Sequence, residues 1–205
     1  MNENNTGKIT MQQIDELMTA MQERLPRKRY LHTLGVAYLA ASIAMAYGKN
    51  QKKAMVAGLL HDCAKCLSEE EILVQCLQKQ IPVTETEQRL PYLLHGKLGA
   101  WYAEHEYGIQ DAKILNAIRF HTTGRPEMTF LEKNIFLSDY IEIRRKQPTT
   151  PSLDELRSLA FTNIDLAVYY AAKNTVDYII ETEGAEHLDS ATLETMNYYQ
   201  KSREV

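Results

Sequence analysis

The chain is 205 residues long, 44% of them apolar, and carries a formal net charge of −4. That apolar share supports a buried core, and with no basic excess there is no case for nucleic acid as a partner. The polar start has no apolar signal region, no stretch reaches the roughly eighteen apolar residues of a membrane span, and the odd set of cysteines at 63, 66 and 76 fits a reducing cytoplasm better than a secreted disulfide framework.

Residues 1–9 are expected to form a frayed tail, with one all-α domain over 10–205. Apolar residues at 11, 14, 17, 18 and 21 predict a helix from Thr10 to Arg24. Pro26 suits the first turn of a second helix, which runs to about Tyr47 and is closed by Gly48. It is apolar nearly all round, which places it at the centre. A third helix is predicted over Gln51–Lys65. Ser68 and Glu71 have capping-box spacing and open a fourth, to about Gln80. A short helix over 84–90, a longer one over Leu93–Tyr107 and another over Asp111–His121 follow. Thr129 and Glu132 open a helix to about Lys146, and Ser152 and Glu155 open the next. Helices over 153–161, 163–183 and 191–200 complete the chain. Alternating apolar–polar runs are missing, so no strand is predicted, and short connections pack neighbouring helices together.

The third helix ends in Gly58-Leu-Leu-His-Asp-Cys-Ala-Lys65. On a helix, His61 and Lys65 share a face, with Asp62 about 100° round. A histidine and an aspartate at the inner end of a buried helix need partners, because an unpaired buried carboxylate is costly; a metal ion satisfies both. His32, His95, His121 and Asp139 also sit in apolar helical contexts, Asp139 in line with Phe136 and Ile143. Any one of them alone reads equally as a core residue or a buried cap. Together, four histidines and two aspartates on five separate helices form a ligand set for iron, zinc or manganese. His105, between two glutamates, and His187, in a polar stretch, are read as non-metal positions. Cys63 and Cys66 are spaced as a C-x-x-C pair, but there is no second pair, and packing is the simpler role. The late tyrosines, Tyr169, Tyr170, Tyr178, Tyr198 and Tyr199, are read as core.

The ordered set Arg29-Tyr-Leu-His32, His61-Asp62-Cys-Ala-Lys65, Leu94-His95-Gly, Ile118-Arg-Phe-His121-Thr122 and Leu137-Ser-Asp139-Tyr-Ile-Glu142 resembles the HD-domain metal-dependent phosphohydrolases. The likeness extends over about residues 25–200 and is closest to the YqeK-type branch of symmetrical bis(5′-nucleosyl)-tetraphosphatases. The resemblance implies an all-α hydrolase with a metal-site core over about 25–146 and C-terminal helices over 152–200. Its expected activity is to split diadenosine tetraphosphate into two ADP using one or two iron ions, with other divalent metals as alternatives. It implies His32, His61, Asp62 and Asp139 as principal metal ligands, and His95 and His121 at the phosphates or a second metal. Arg29, Lys65, Thr122 and Arg145, with His95, His121 and Asp139, are the implied substrate contacts. The chain departs from the family's pattern at Glu186-His-Leu-Asp-Ser190, where an aromatic–proline pair is expected.

A bound metal lowers the pKa of a ligated water and neutralises phosphate oxygens. The expected chemistry is therefore in-line attack of water on an inner phosphorus, with ADP leaving. Asp62 is the natural bridge between two metals, because a carboxylate has two oxygens. Lys65 is expected at the phosphate, and His121 is a candidate acid. Two rival readings remain: a phosphohydrolase for a nucleoside monophosphate or deoxynucleoside triphosphate, and a non-catalytic nucleotide sensor. A homodimer is held open.

Overall fold

Side-chain caps set most of the helix starts. In a computed structural model that describes residues 9–203, reciprocal capping boxes join Ser68 to Glu71, Thr84 to Glu87, Thr129 to Glu132 and Ser152 to Glu155. Each satisfies N–H groups that the first helical turn leaves without partners. The helices are α1 (Met11–Arg24), α2 (Arg27–Ala46), α3 (Gln51–Leu60), α4 (Glu69–Gln78), α5 (Glu85–Arg89), α6 (His95–His105), α7 (Ala112–Arg119), α8 (Phe130–Ile141), α9 (Leu153–Thr162), α10 (Ile164–Thr182) and α11 (Ser190–Tyr199). Short 3₁₀ turns precede α6 at Pro91–Leu94, precede α11 at Ala185–His187 and follow it at Gln200–Arg203. The fold is all-α, with no strand among the described residues, and no helix there is long and apolar enough to cross a membrane. Residues 1–8 of the expected tail lie outside the described residues. Ile9 packs against the core, and its carbonyl accepts a hydrogen bond from Lys52 at 3.1 Å.

Two apolar clusters form the interior. The larger is built from α1, α2, α3, α6 and α7 with the start of α8, and the smaller from the end of α8 with α9, α10 and α11. Helices α2 and α8 contribute to both, so residues on these two helices stand where the clusters meet. The fully buried Val36, Ala37, Ala40, Ile43 and Ala44 confirm α2 as the central helix. Of the late tyrosines, Tyr169 and Tyr199 are core, whereas Tyr178 is 59% exposed.

Helix α2 crosses α3 at close range because of Gly58. A Cβ there would stand 2.6 Å from Cα of Ala37, inside van der Waals contact with backbone. This crossing brings His61, three residues beyond Gly58, against His32 of α2, with ring centroids 5.7 Å apart.

Two helices end earlier than their periodicity predicts. Helix α3 stops at Leu60 rather than Lys65. The chain continues through turns in which Cys63 N–H donates to Leu60 O, Lys65 N–H to Asp62 O and Leu67 N–H to Ala64 O. These are three-residue rather than four-residue bonds. The Cys63 carbonyl is instead taken by the Arg24 guanidinium at 2.8 Å. His61 and Lys65 therefore do not share a helical face. Helix α8 stops at Ile141 rather than Lys146, and Glu142 turns into extended backbone at φ −49°, ψ 143°. Arg157 of α9 donates to the carbonyls of Ile141 at 2.9 Å and Glu142 at 3.2 Å, and Arg145 donates to that of Asp139 at 3.0 Å. Carbonyls at the end of α8 are thus satisfied by guanidinium groups instead of another helical turn. Ile143, placed in line with Asp139 on the helix by its spacing, is off the helix and 70% exposed.

The close crossing makes Gly58→Val a direct test of the packing. Its side chain would overlap backbone that cannot yield, and the expected loss is about 1–3 kcal/mol of stability. Thermal unfolding followed by circular dichroism should show a lowered midpoint, and a wild-type midpoint would refute the tight α2–α3 contact.

Candidate metal centre and nucleotide cleft

The predicted residues converge from five stretches of chain. His32 lies on α2, His61 caps α3, Asp62 and Lys65 lie in the turn after it, His95 begins α6, His121 and Thr122 follow α7, and Asp139 lies on α8. His61, Asp62, His95 and His121 are each at most 3% exposed, and His32 is 8% exposed. Asp62 is at the middle. Its Oδ2 stands 3.4 Å from Nε2 of His61 and 2.8 Å from the Arg29 guanidinium. Its Oδ1 stands 3.4 Å from Nε2 of His95 and 3.6 Å from Nε2 of His121. Asp139 Oδ1 is 2.8 Å from Nε2 of His32, 3.9 Å from Nε2 of His61 and 2.5 Å from the Arg145 guanidinium.

All four rings present the same nitrogen inward. The Nδ1 atoms of His61, His95 and His121 donate to the carbonyls of Gly58, Tyr92 and Ile118, each three residues back. His32 Nδ1 donates to the Glu142 carboxylate at 3.1 Å. With Nδ1 protonated in the neutral ring, each Nε2 carries a lone pair. The His61 Nε2 is buried with no hydrogen-bond partner. Nε2 of His95 and Nε2 of His121 face each other at 3.0 Å. Lone pairs this close to each other and to carboxylate oxygens are a donor set for a cation. Two ligand atoms that share a metal at about 2.1 Å and at right angles stand about 3 Å apart, which is the spacing of His32 Nε2 and Asp139 Oδ1. Two overlapping sets fit: His32, His61 and Asp139, and His61, Asp62 and His121, the atoms of each lying within 4.8 Å of one another.

The charges agree with this arrangement. Burial raises the Asp62 carboxyl, but His61, His121 and His95 outweigh it and hold the group well below the usual carboxylate range. Asp139 is likewise raised by burial and more strongly lowered by its contact with the His32 ring, whenever that ring is protonated at Nε2, and by Arg145 and His61. Burial, the nearby Lys65 charge and His121 push His95 well below the ordinary histidine range, so it stays neutral.

Glu142 has no role in the sequence reading, although its place three residues after Asp139 was a signal. It is fully buried and bonds His32 Nδ1, the Arg144 N–H at 3.0 Å and the Arg144 guanidinium at 2.8 Å. A Cβ on Gly35 would overlap its carboxylate, so glycine is needed one turn beyond His32. Gly96 allows a close approach: a Cβ there would stand 2.8 Å from the Arg119 carbonyl, where α6 meets the end of α7. Cys63 is a packing residue whose buried thiol is pushed up to about 12, mainly by burial. His105 stacks on Trp101 at the surface, far in role from the buried rings.

A cavity of 560 Å³ opens from the metal-site residues. Arg29, His32, Lys65 and Arg145 line it, as do Lys28, Arg144, Lys146 and Gln147. Thr122 stands on the His95 side, with Oγ1 3.2 Å from Nε2 of His95. All the sequence-predicted site residues are therefore brought to one place, Lys65 through a turn rather than a helix.

A family model described as the HD domain matches residues 29–148. The chain belongs to the HD domain family. Such domains bind divalent metals, which the inward nitrogens and carboxylates here fit. The chain is 38% identical over 167 residues to a symmetrical bis(5′-nucleosyl)-tetraphosphatase of Bacillus subtilis, spanning 82% of this chain and 88% of that one. It is 36% identical over 193 residues to the protein of the same name in Staphylococcus aureus, spanning 93% and 96%. The crystal structure of a Clostridium acetobutylicum protein, described as a predicted HD superfamily hydrolase involved in NAD metabolism, superposes with a TM-score of 0.86 at 38% identity, over 96% of this chain and all of that one.

Replacing the carboxylate behind His32 should loosen the HD site without dismantling it. Glu142→Gln is expected to weaken retention of a divalent metal by about 10–100-fold. Chelator competition reads the loss, and circular dichroism checks that the helices remain. Unchanged retention would show that the Glu142–His32 contact orients no ligand.

Proposed function

We propose that this chain hydrolyses diadenosine tetraphosphate symmetrically, releasing two ADP, with iron held by His32, His61, Asp62 and Asp139. The observation that carries the reading is the ring of inward Nε2 lone pairs around the Asp62 carboxylate, in a chain whose full-length relatives bear that activity's name. Phosphoanhydrides resist hydrolysis because water is a poor nucleophile and phosphate charge repels it. A divalent metal at this site supplies an acidified water and neutralises phosphate oxygens.

The chain's own residues do the rest. Asp62 turns one oxygen to His61 and the other to His95 and His121, so it would serve as a ligand on either side if metal were bound, and Arg29 fixes the first oxygen. Arg145 holds Asp139 through two of its three guanidinium nitrogens and lines the cavity, where its charge and that of Lys65 draw phosphate oxygens in. His95 and His121, with the Thr122 hydroxyl, sit at the phosphates or a second metal. ADP is a good leaving group that needs little protonation; His121 would supply a proton only after its inward Nε2 had taken one up. The free cysteines fit a cytoplasmic location.

Anaerobically purified protein should contain iron and convert diadenosine tetraphosphate to ADP alone, two per substrate, by metal analysis and chromatography. Release of nucleoside and phosphate, or of tripolyphosphate, from another nucleotide in the panel would favour the rival substrates. Tight nucleotide binding without turnover would favour a sensor. Asp62→Ala should abolish both bound metal and turnover while the helical dichroism persists, and full activity in that variant would sink the reading.

A further inference from the structure

The cavity carries more positive charge than the reaction centre uses. Six cations line it: Lys28, Arg29, Lys65, Arg144, Arg145 and Lys146. The protein as a whole is acidic at −4, so this clustering runs against its overall balance. Three of the six are already committed to carboxylates, Arg29 to Asp62, Arg145 to Asp139 and Arg144 to Glu142. Lys28 and Lys146 form no ion pair among the described residues and are exposed. They come from separate elements, Lys28 from the first turn of α2 and Lys146 from the segment after α8. Burial, and the like charges of Arg29 and Arg145, depress the Lys65 ammonium, while Asp62 and Asp139 support its charge. The cleft is thus a cluster of cations with too few anions of its own.

The cavity also has a direction. Arg29, which holds Oδ2 of Asp62, lines it together with His32, Lys65 and Arg145, whereas His95 and His121, on the Oδ1 side, and Thr122 do not. A linear polyphosphate drawn across Asp62 therefore has one half on the His95–Thr122 side and the other half in this cleft. A volume of 560 Å³ lies within the range of pockets that enclose a small ligand, about 300–1,000 Å³.

We propose that Lys28 and Lys146 form the subsite for the phosphates of the nucleotide half beyond the scissile bond, and so select a substrate with a charged second half. The inference rests on the hydrolase reading above. Two lysines suit this task because an ammonium is a mobile point charge that follows a flexible phosphate chain, whereas the fixed forks of Arg29 and Arg145 are bound to the site's own carboxylates. Gln147, also in this lining and hydrogen-bonded to the Tyr140 carbonyl at 3.1 Å, keeps the segment folded back over the cavity.

The test is the metal-loaded Lys28→Ala/Lys146→Ala double variant. Both side chains are exposed and unpaired, so the fold should survive, and circular dichroism checks it. The Michaelis constant for diadenosine tetraphosphate is expected to rise about tenfold, as lost charge-assisted contacts dictate. The inhibition constant for ADP, which is held by the half that remains, should move less than about twofold. The Lys28→Arg/Lys146→Arg variant should restore the wild-type Michaelis constant. An unchanged Michaelis constant would overturn the subsite. So would an equal weakening of ADP, which would mean that the lysines act by general attraction rather than by holding one half. Failure of the hydrolase reading looks different: the unmodified, metal-loaded protein would release no ADP from diadenosine tetraphosphate.

Discussion

A buried carboxylate surrounded by unprotonated ring nitrogens is the constraint on which the rest of the structure depends. Asp62 is 2% exposed and, among the described residues, pairs with one lysine or arginine, Arg29. The three histidine nitrogens around it hold its carboxyl low when they are protonated and repel it when they carry lone pairs. Such a cluster is expensive to bury unless positive charge enters it. The protein accepts that cost and fixes the ring orientations from behind, with three backbone carbonyls and the Glu142 carboxylate. Placing the donors in advance of the cation removes ordering cost from binding.

Delivering five stretches of chain to one point requires backbones to approach closely. Gly58 against Ala37, Gly35 under Glu142 and Gly96 against Arg119 each occupy a place where a methyl group would collide. Helix ends do the remaining work. His61, His95 and His121 stand at the ends of α3, α6 and α7, where backbone carbonyls three residues back take Nδ1. A ring at a helix end can hydrogen-bond its own helix and still face away from it.

Much of this was legible in the sequence. Period-3.6 patterning, capping boxes and proline or glycine breaks located the helices, because these are local effects. The four histidines and two aspartates stood out as polar residues in apolar surroundings. What stayed hidden was non-local. The ends of α3 and α8 are set by Arg24 and Arg157, whose partners lie 39 and 16 residues away in the chain. Apolar and small residues continue past Leu60, so periodicity alone overran the turn that carries Asp62 and Lys65. Glu142 was hidden by the same overrun: on a longer helix it reads as one more charged residue among Arg144 and Arg145, and only the break at Ile141 turns its carboxylate under His32.

The donor atoms come from both apolar clusters. His61, His95 and His121 are carried by segments of the larger one, and Asp139 by α8 where the smaller begins. A cation gripped by His32, His61 and Asp139 therefore ties residue 32 to residue 139 and closes a long loop of chain through a single point. Closing a loop of that length removes much of the freedom of the unfolded chain. The ion that performs the chemistry would then act as a fastener between the two halves of the protein, and metal supply would set how long the folded molecule lasts as well as how fast it works.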